Sequence, residues 1–403
     1  MRIAVISPIV DRQHGTERAV AELVDRLAVN HKDDIELYAQ SVSDIRLNPD
    51  SAARTNGSGE INWHRVGSFA GPHLIQFLSW LFLNRFVRWR QEGTRGKKPD
   101  VVFSPGINAL DADVILVHAV FHRLAELQKS HQPAGLRGLH RKLYYALVCN
   151  LERRIYTNPR VTLIAVSRHT AEQLARYFRR YDVSVIPNGV DGDHFSPASI
   201  ATMRERYRQE WKFSPEDFVL LLIGNDWRNK GLKTLLRACS TCKELPIRLL
   251  VVGQDEQAPF RVEAKTLGLA NRVQFFAPVQ DVRIFYAAVD ALVAPSLEDS
   301  FNLPVLEAMS CGLPVIASQR AGVSDWLTDT QDSVVLKNPE DPQELSERIR
   351  TLASNTLFRS TIAANAVHTA TKFSWDAHTN ELRKLLAKAA QEKSRHNLAN
   401  QSA

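Results

Sequence analysis

Residues 291–318 read ALVAPSLEDSFNLPVLEAMSCGLPVIAS. A short apolar run, ALVAPS (291–296), ends at Pro295-Ser296 and gives way to two acids and a small polar turn. A helix is expected around 304–311, carrying Glu307, and a second apolar run, PVIAS (314–318), follows it. Two strands joined through a helix run parallel. Continuous apolar strands of this kind are covered on both faces.

The same alternation extends outward. Upstream lie FVLLLIG (218–224), a helix from about 231, RLLVVG (248–253), a helix near 258–268 and VQFFA (273–277). Nearer the start, RIAVIS (2–7) precedes a helix over 16–29, whose apolar residues Ala19, Val20, Leu23, Val24 and Leu27 recur at spacings of three and four. ELYAQ (36–40), DVVFS (100–104), VILVHA (114–119), TLIAVS (162–167) and SVIPN (184–188) follow as strands. The expectation is an α/β protein of two doubly wound, Rossmann-like domains with parallel sheets facing an interdomain cleft. The halves show no close sequence repeat. PNGVDGDHFSP (187–197), rich in turn-forming residues, reads as the hinge. The first domain is assigned to 1–190 and the second to 191–373, with a C-terminal helix over 374–395 completing the first. The polar stretch 49–60 reads as a mobile surface loop, and the final ten or so residues are expected to fray.

The 403 residues are too many for one ordinary core. With 44% hydrophobic and 24% charged residues, the composition is that of a soluble globular protein. No uncharged apolar stretch reaches the length of a membrane span, and no signal-cleavage pattern follows the opening MRIAVISPIV. Four cysteines, Cys149, Cys239, Cys242 and Cys311, fit a reducing cytoplasm. Cys239 and Cys242 form a lone C-x-x-C in a helical run without a second pair, and packing is favoured over a metal or redox role. Residues 1–190 hold 26 Lys and Arg against 18 Asp and Glu, a surplus of +8 that exceeds the +7 of the whole chain. An anionic partner would therefore meet the first half.

In open parallel sheets ligands bind outside the C-terminal ends of strands, so chemistry is sought in the loops that follow them. Neither a G-x-G-x-x-G nor a P-loop signature is present. The loop after 218–224 reads GNDWRNKG (224–231) and leads into a helix. A strand end, a glycine, Arg228, Lys230 and a helix start together suit a diphosphate; a solvated basic turn is the plainer alternative. In 295–318, a carboxylate in the loop and Glu307 on the following helix can both face a ligand and accept from vicinal hydroxyls. Successive N–H groups of the Asp299–Leu303 turn could grip sugar or phosphate oxygens. The D-x-D look-alike Asp111-Ala112-Asp113 precedes a strand and so lies on the wrong side for a ligand. Residues 73–90, HLIQFLSWLFLNRFVRWR, interleave aromatics with arginines, and Lys97 and Lys98 follow. They fit a helix half-buried in the first domain, the favoured reading, or a peripheral contact of residues 73–98 with an anionic membrane. No nucleic-acid motif accompanies the basic pI.

These motifs, in this order, resemble those of the retaining glycosyltransferases of family 4, which have the GT-B fold. The family's E-x7-E element falls here on Asp299 to Glu307, its phosphate loop on Arg228 and Lys230, its interdomain P-N-G-V-D…F-x-P on VIPNGVDGDHFSP (185–197), and its first glycine loop on His14-Gly15-Thr16. VSRHTAEQL (166–174) and FSWDAHTNEL (373–382) are similar to further landmarks.

The resemblance implies roles. Glu307 would bind ribose hydroxyls; Glu298, Asp299, Ser300, Phe301, Asn302 and Leu303 would hold the donor sugar; Gly224, Asn225, Arg228 and Lys230 would take the diphosphate. Gly15 and Thr16 would approach the phosphate from the other domain, His118 would lie near the reacting sugar, and Pro278-Val279 would hold the base by backbone contacts. Without the resemblance His118 reads as a core histidine. Two departures stand out: the first acid is Asp299, one methylene shorter than the usual Glu, and His14-Gly15 stands where Gly-Gly is usual.

The expected activity is transfer of a hexose from a nucleoside-diphosphate sugar, UDP-sugar favoured, to a glycan or lipid-linked saccharide, with retention and no metal or other cofactor. Cell-surface polysaccharide or lipopolysaccharide assembly, in the cytoplasm or on the inner membrane face, is the implied setting. A sugar-nucleotide epimerase or a non-catalytic nucleotide-sugar binder on the same fold are the alternatives.

Overall fold

A computed structural model of the chain describes residues 1–12, 15–47, 59–95, 98–128 and 135–401. Most of the polar stretch 49–60, as well as His14 and Lys97, lies outside the described residues. The chain divides into two compact units, Met1–Pro187 with Trp375–Ala403, and Asn188–Ser374.

The first unit is built on β1 (Arg2–Ile6), β2 (Ile9–Val10), β3 (Asp34–Ala39), β4 (Ser41–Val42), β5 (Ile61–Arg65), β6 (Val101–Pro105), β7 (Val114–Val117), β8 (Thr162–Ala165) and β9 (Ser184–Val185). Its main sheet has the order β5-β3-β1-β6-β7-β8-β9, and β2 and β4 pair separately. Its strands pair in parallel throughout. Its helices are α1 (Gly15–His31), α2 (His73–Arg95), α3 (Phe121–Gln128), α4 (Leu136–Tyr156) and α5 (Arg168–Phe178). The core joins Ala4, Ile6, Ile115, Val117 and Leu163 from the strands with Trp80 and Leu81 from α2.

The second unit comprises β10 (Phe218–Ile223), β11 (Ile247–Val252), β12 (Val273–Phe276), β13 (Ala291–Ala294), β14 (Val315–Ser318) and β15 (Val334–Leu336), with α6 (Pro197–Ala201), α7 (Arg204–Glu210), α8 (Leu232–Thr241), α9 (Gln257–Thr266), α10 (Arg283–Ala288), α11 (Leu303–Ser310), α12 (Pro342–Ser354) and α13 (Thr356–Ala370). The sheet order is β12-β11-β10-β13-β14-β15, all parallel. Counted within the unit this is 3-2-1-4-5-6, the doubly wound order whose direction reverses between β10 and β13. Leu220, Leu222, Leu249, Val251, Val293 and Ile316 fill the core with the inner faces of α8 and α12.

Helix α14 (Trp375–Gln401) belongs to the first unit. Arg383 pairs with the buried Asp33 at 2.6 Å, and Lys393 with Asp113 at 2.7 Å. The tail expected to fray is helical through Gln401. The Lys393–Asp113 pair sits at the start of that tail, and the Glu, Lys, Arg and Ala residues around it are good helix formers. Strands β5 and β15 were not expected. INWHR (61–65) is too polar to stand out, and its His64 is held by Glu36 of the neighbouring strand.

Candidate active site

In the second unit β10 and β13 end side by side, where the strand order reverses. The loop 224–231 leaves β10, and the loop 295–302 leaves β13. Two glycines let them meet. Gly231 has φ +76°, and a Cβ there would stand 2.0 Å from the Pro295 carbonyl oxygen. Gly224 has φ +136°, and a Cβ there would strike the Lys230 side chain at 2.7 Å. Trp227 anchors the first loop by burying its ring against Phe260 and Phe275.

The two loops are then stitched. Leu297 N–H donates to the Asn229 carbonyl at 2.7 Å, and Asn229 Nδ2 donates to the Glu298 carbonyl at 2.8 Å. Lys230 Nζ donates to Asp299 Oδ2 at 2.5 Å. Asp299 Oδ1 accepts from Phe301 N–H at 3.2 Å, so this short carboxylate both pairs with the lysine and closes its own turn. Asn302 adopts left-handed backbone, φ 74°, at the start of α11, and its Nδ2 donates to Ser296 Oγ at 3.2 Å. Among the described residues, the N–H groups of Ser300 and Asn302 make no protein hydrogen bond. Glu298 and Glu307 are buried, Phe301 fills the core beneath the turn, and Arg228 is exposed. Glu307 Oε2 accepts from the Tyr286 hydroxyl at 2.7 Å.

The start of α8 offers fewer donors than a bare helix end, because Leu232 N–H is already bound by the Trp227 carbonyl at 2.9 Å. Lys233 and Thr234 N–H make no such bond among the described residues. Asn225 uses its side-chain oxygen to accept from Gln254 N–H at 2.8 Å, tying the loop to the end of β11. Val279 lies exposed in the loop after β12.

The structure thus places Gly224, Asn225, Arg228 and Lys230 in the loop after β10, Glu298, Asp299, Ser300, Phe301 and Asn302 in the loop after β13, and Leu303 and Glu307 on α11, into which that loop leads, all in one unit. Gly15, Thr16 and His118 belong to the first unit. Gly15 and Thr16 open α1, the helix after the end of β1, and His118 directly follows β7 and is buried.

Other clusters have structural occupations. Asp111 is paired with Arg88 at 2.6 Å, and Asp113 accepts from Val102 N–H at 2.8 Å besides holding Lys393. Both stand before β7, at the opposite end of the sheet from the C-terminal strand ends. Cys239 and Cys242 are free thiols packed in the second core, and Cys242 Sγ contacts the Ser346 carbonyl at 3.7 Å. His122, Cys149 and Glu152 place ligand-type atoms within 4.8 Å of one another. Glu152 is fully buried, however, and accepts from Phe121 N–H, His122 N–H and the His122 ring, which caps α3. Tyr286, Asn229, Trp227 and Glu152 were missed in the sequence. The first three sit in helical or loop runs whose apolar or polar character gives no sign of a contact so distant along the chain.

The profile described as Glycosyltransferase Family 4 matches residues 14–194, and that described as Glycosyl transferases group 1 matches residues 203–369. The lipopolysaccharide glucosyltransferase WaaG of Escherichia coli (strain K12) is 30% identical over 230 residues, covering 55% of this chain and 59% of that protein. The crystal structure of WaaG superimposes with TM-score 0.75 at 21% identity, covering 95% of this chain and 99% of that one. The structure of Anabaena Alr3699/HepE in complex with UDP-glucose gives 0.70 at 19%, covering 96% and 100%. At these identities the structural likeness is one of fold. In sequence, the chain spans between 54% and 59% of the length of the first curated relatives it matches. Two doubly wound parallel-sheet units with this strand-end architecture define the GT-B class. Within that class, the chain belongs to the family 4, group 1 glycosyltransferases.

Proposed function

We propose that the protein transfers a hexose from a nucleoside-diphosphate sugar, UDP-glucose being the first candidate, to a glycan or lipid-linked saccharide acceptor, with retention of anomeric configuration. The observation that carries this is the meeting of Lys230 with Asp299 at the switch point between β10 and β13, where a doubly wound sheet binds its ligand. The names of two relatives, a lipopolysaccharide glucosyltransferase and a protein in complex with UDP-glucose, support the donor class and a setting in surface-glycan synthesis.

The reaction breaks the anomeric C–O bond, and the departing diphosphate takes the electron pair. Lys230 and Arg228, with the start of α8, would stabilise that negative charge from fixed positions, so no metal is required. An acceptor hydroxyl bonds to the anomeric carbon on the face the diphosphate leaves, and its proton departs to the leaving group or solvent. Glu307 would hold the ribose and the 298–303 turn the hexose, with Val279 beside the base. Gly15, Thr16 and His118 are the first unit's share of the reading.

The test is a melting-temperature panel of UDP-, GDP- and ADP-sugars, since a ligand of the folded state raises the transition. The stabilising sugar is then incubated with and without acceptor. Hydrolysis or transfer supports the proposal. Conversion of the sugar to its epimer without acceptor would replace it with an epimerase, and binding without turnover under any acceptor with a binding protein.

A second reading concerns location. No helix among the described residues is long and apolar enough to cross a membrane. On α2, however, Ile75, Leu78, Phe82, Phe86 and Trp89 are all exposed, Phe82 at 71% and Trp89 at 69%. At about 100° per residue they fall within roughly 80° of arc and form a stripe about 21 Å long. The exposed Arg85 and Arg90 flank it on either side. Trp80, Leu81, Asn84 and Arg88 occupy the opposite, buried face. The inner face of α2 is therefore the half-buried helix of the first unit, and its outer face stands exposed. We propose that the outer face docks on an anionic bilayer, with rings at headgroup depth and arginines on the phosphates.

A further inference from the structure

We infer that Tyr286 is a positioning residue for the donor, acting through Glu307. This rests on Glu307 being the ligand of the nucleotide's ribose.

Tyr286 lies on α10 and Glu307 on α11, so the pair joins the helix after the base-side loop to the helix after the acidic turn. The phenol is fully buried, and its hydroxyl donates to Glu307 Oε2 at 2.7 Å. Its position is fixed from two sides. The hydroxyl also lies 3.5 Å from the Pro304 carbonyl oxygen, and the ring meets Phe195 edge-on at 5.9 Å. Phe195 is itself tied to α11, because its carbonyl accepts from Ser310 Oγ at 2.6 Å. The ring therefore has little room to swing without moving the helix that carries Glu307.

The chemistry of the pair suits a diol ligand. An ionised carboxylate has about four acceptor sites. A phenol uses one of them and leaves the charge in place, where a cationic partner would neutralise it. With one oxygen held, the carboxylate plane is set before the ligand arrives, and less rotamer freedom is lost on binding. The buried surroundings show in Cys311, one turn further along: burial first, and then the Glu307 charge, push its thiol up to about 12.

The test uses the full-length protein and four forms of it: wild type, Tyr286→Phe, Glu307→Gln and the double variant. Each is titrated calorimetrically with UDP and with 2′,3′-dideoxy-UDP, and steady-state kinetics are run on the donor. Tyr286→Phe keeps the ring and removes only the hydroxyl, so the fold persists, which a melting curve checks. The expected result is that Tyr286→Phe weakens UDP binding about tenfold, the size of a hydrogen bond to a charged group. It leaves dideoxy-UDP binding unchanged, raises the donor KM with kcat within twofold, and adds little further loss to Glu307→Gln. Equal weakening towards both nucleotides would reduce Tyr286 to a packing residue and overturn the inference, as would unchanged UDP binding. If Glu307→Gln itself binds UDP like wild type, it is the ribose assignment of Glu307 that fails.

Discussion

Lys230 Nζ stands 2.5 Å from Asp299 Oδ2, across two loops that belong to neighbouring strands and are 69 residues apart in sequence. The pair gives the shorter acid at position 299 a definite occupation: it orients the lysine and, through Oδ1, caps Phe301 N–H. If Lys230 carries leaving-group charge, Lys230→Ala should lower kcat/KM by about 10²–10³-fold, the usual cost of removing one preorganised donor. Asp299→Asn keeps an acceptor for Phe301 but loses the charge that holds the lysine, so its loss should be smaller. A rate series with melting curves as the folding control decides this. Lys230→Ala with near-normal turnover would remove the leaving-group role.

Gly231→Ala tests the meeting of the loops. Left-handed backbone costs a residue with Cβ roughly 1–2 kcal/mol. Here the added atom would also stand 2.0 Å from a backbone oxygen, which cannot be displaced cheaply. The expected outcome is a lowered melting temperature and weakened nucleotide binding together. Gly192→Ala is the control, since nothing lies within 4 Å of a Cβ there and its φ is ordinary. Equal behaviour of the two variants would contradict the close approach.

Much of the second unit was legible because its strands are long, apolar and separated by amphipathic helices. FVLLLIG and RLLVVG became β10 and β11 within a residue of their expected ends. The two candidate loops could be placed for the same reason, since strand ends locate them. What sequence could not show is pairing at a distance. Tyr286 sits in RIFYAA, an apolar turn of helix like many others, and only the fold brings it against Glu307. Asp111 and Asp113 mimic a metal motif in sequence, yet their ion-pair partners come from α2 and α14. Strand β5 was hidden because it is a short edge strand, only partly buried, that carries Asn, His and Arg.

The buried His378 makes stability depend on pH. Burial holds its imidazole down at about 4, while its Nδ1 donates to the Pro187 carbonyl at 2.8 Å. The unfolded chain binds this proton near pH 6.5 and the folded chain only near 4, so stability is lost as pH falls between those values. The loss amounts to about 3 kcal/mol from this group alone. Urea unfolding at pH 7 and pH 4.5 should show a falling midpoint, and the fall should be smaller in His378→Gln. An equal fall in both forms would assign the pH dependence elsewhere.

Activity should persist in EDTA, since the proposed leaving-group charge rests on Lys230 and Arg228. Asp111→Asn should lower the melting temperature modestly through its pair with Arg88, leaving the donor KM unchanged. Loss of activity in EDTA that magnesium restores would show that a metal shares the diphosphate charge.

The stripe on α2 predicts a specific dependence on lipid charge. Wild-type protein should co-sediment with vesicles containing anionic phosphatidylglycerol and much less with pure phosphatidylcholine, because the apolar face and its flanking arginines act together. Binding should weaken as salt rises, since the arginine contribution is screened and the apolar one is not. Phe82→Ser with Trp89→Ser removes two rings that point away from the core, so folding and turnover on a soluble acceptor should stay near wild type while vesicle binding is lost. Phe82 and Trp89 each lie near Phe86, with ring centroids at 6.4 and 6.0 Å, so the double change also opens the middle of the stripe. A protein that ignores anionic vesicles, yet sediments as a dimer that the double variant dissolves, would instead make this face the contact between two copies of the chain.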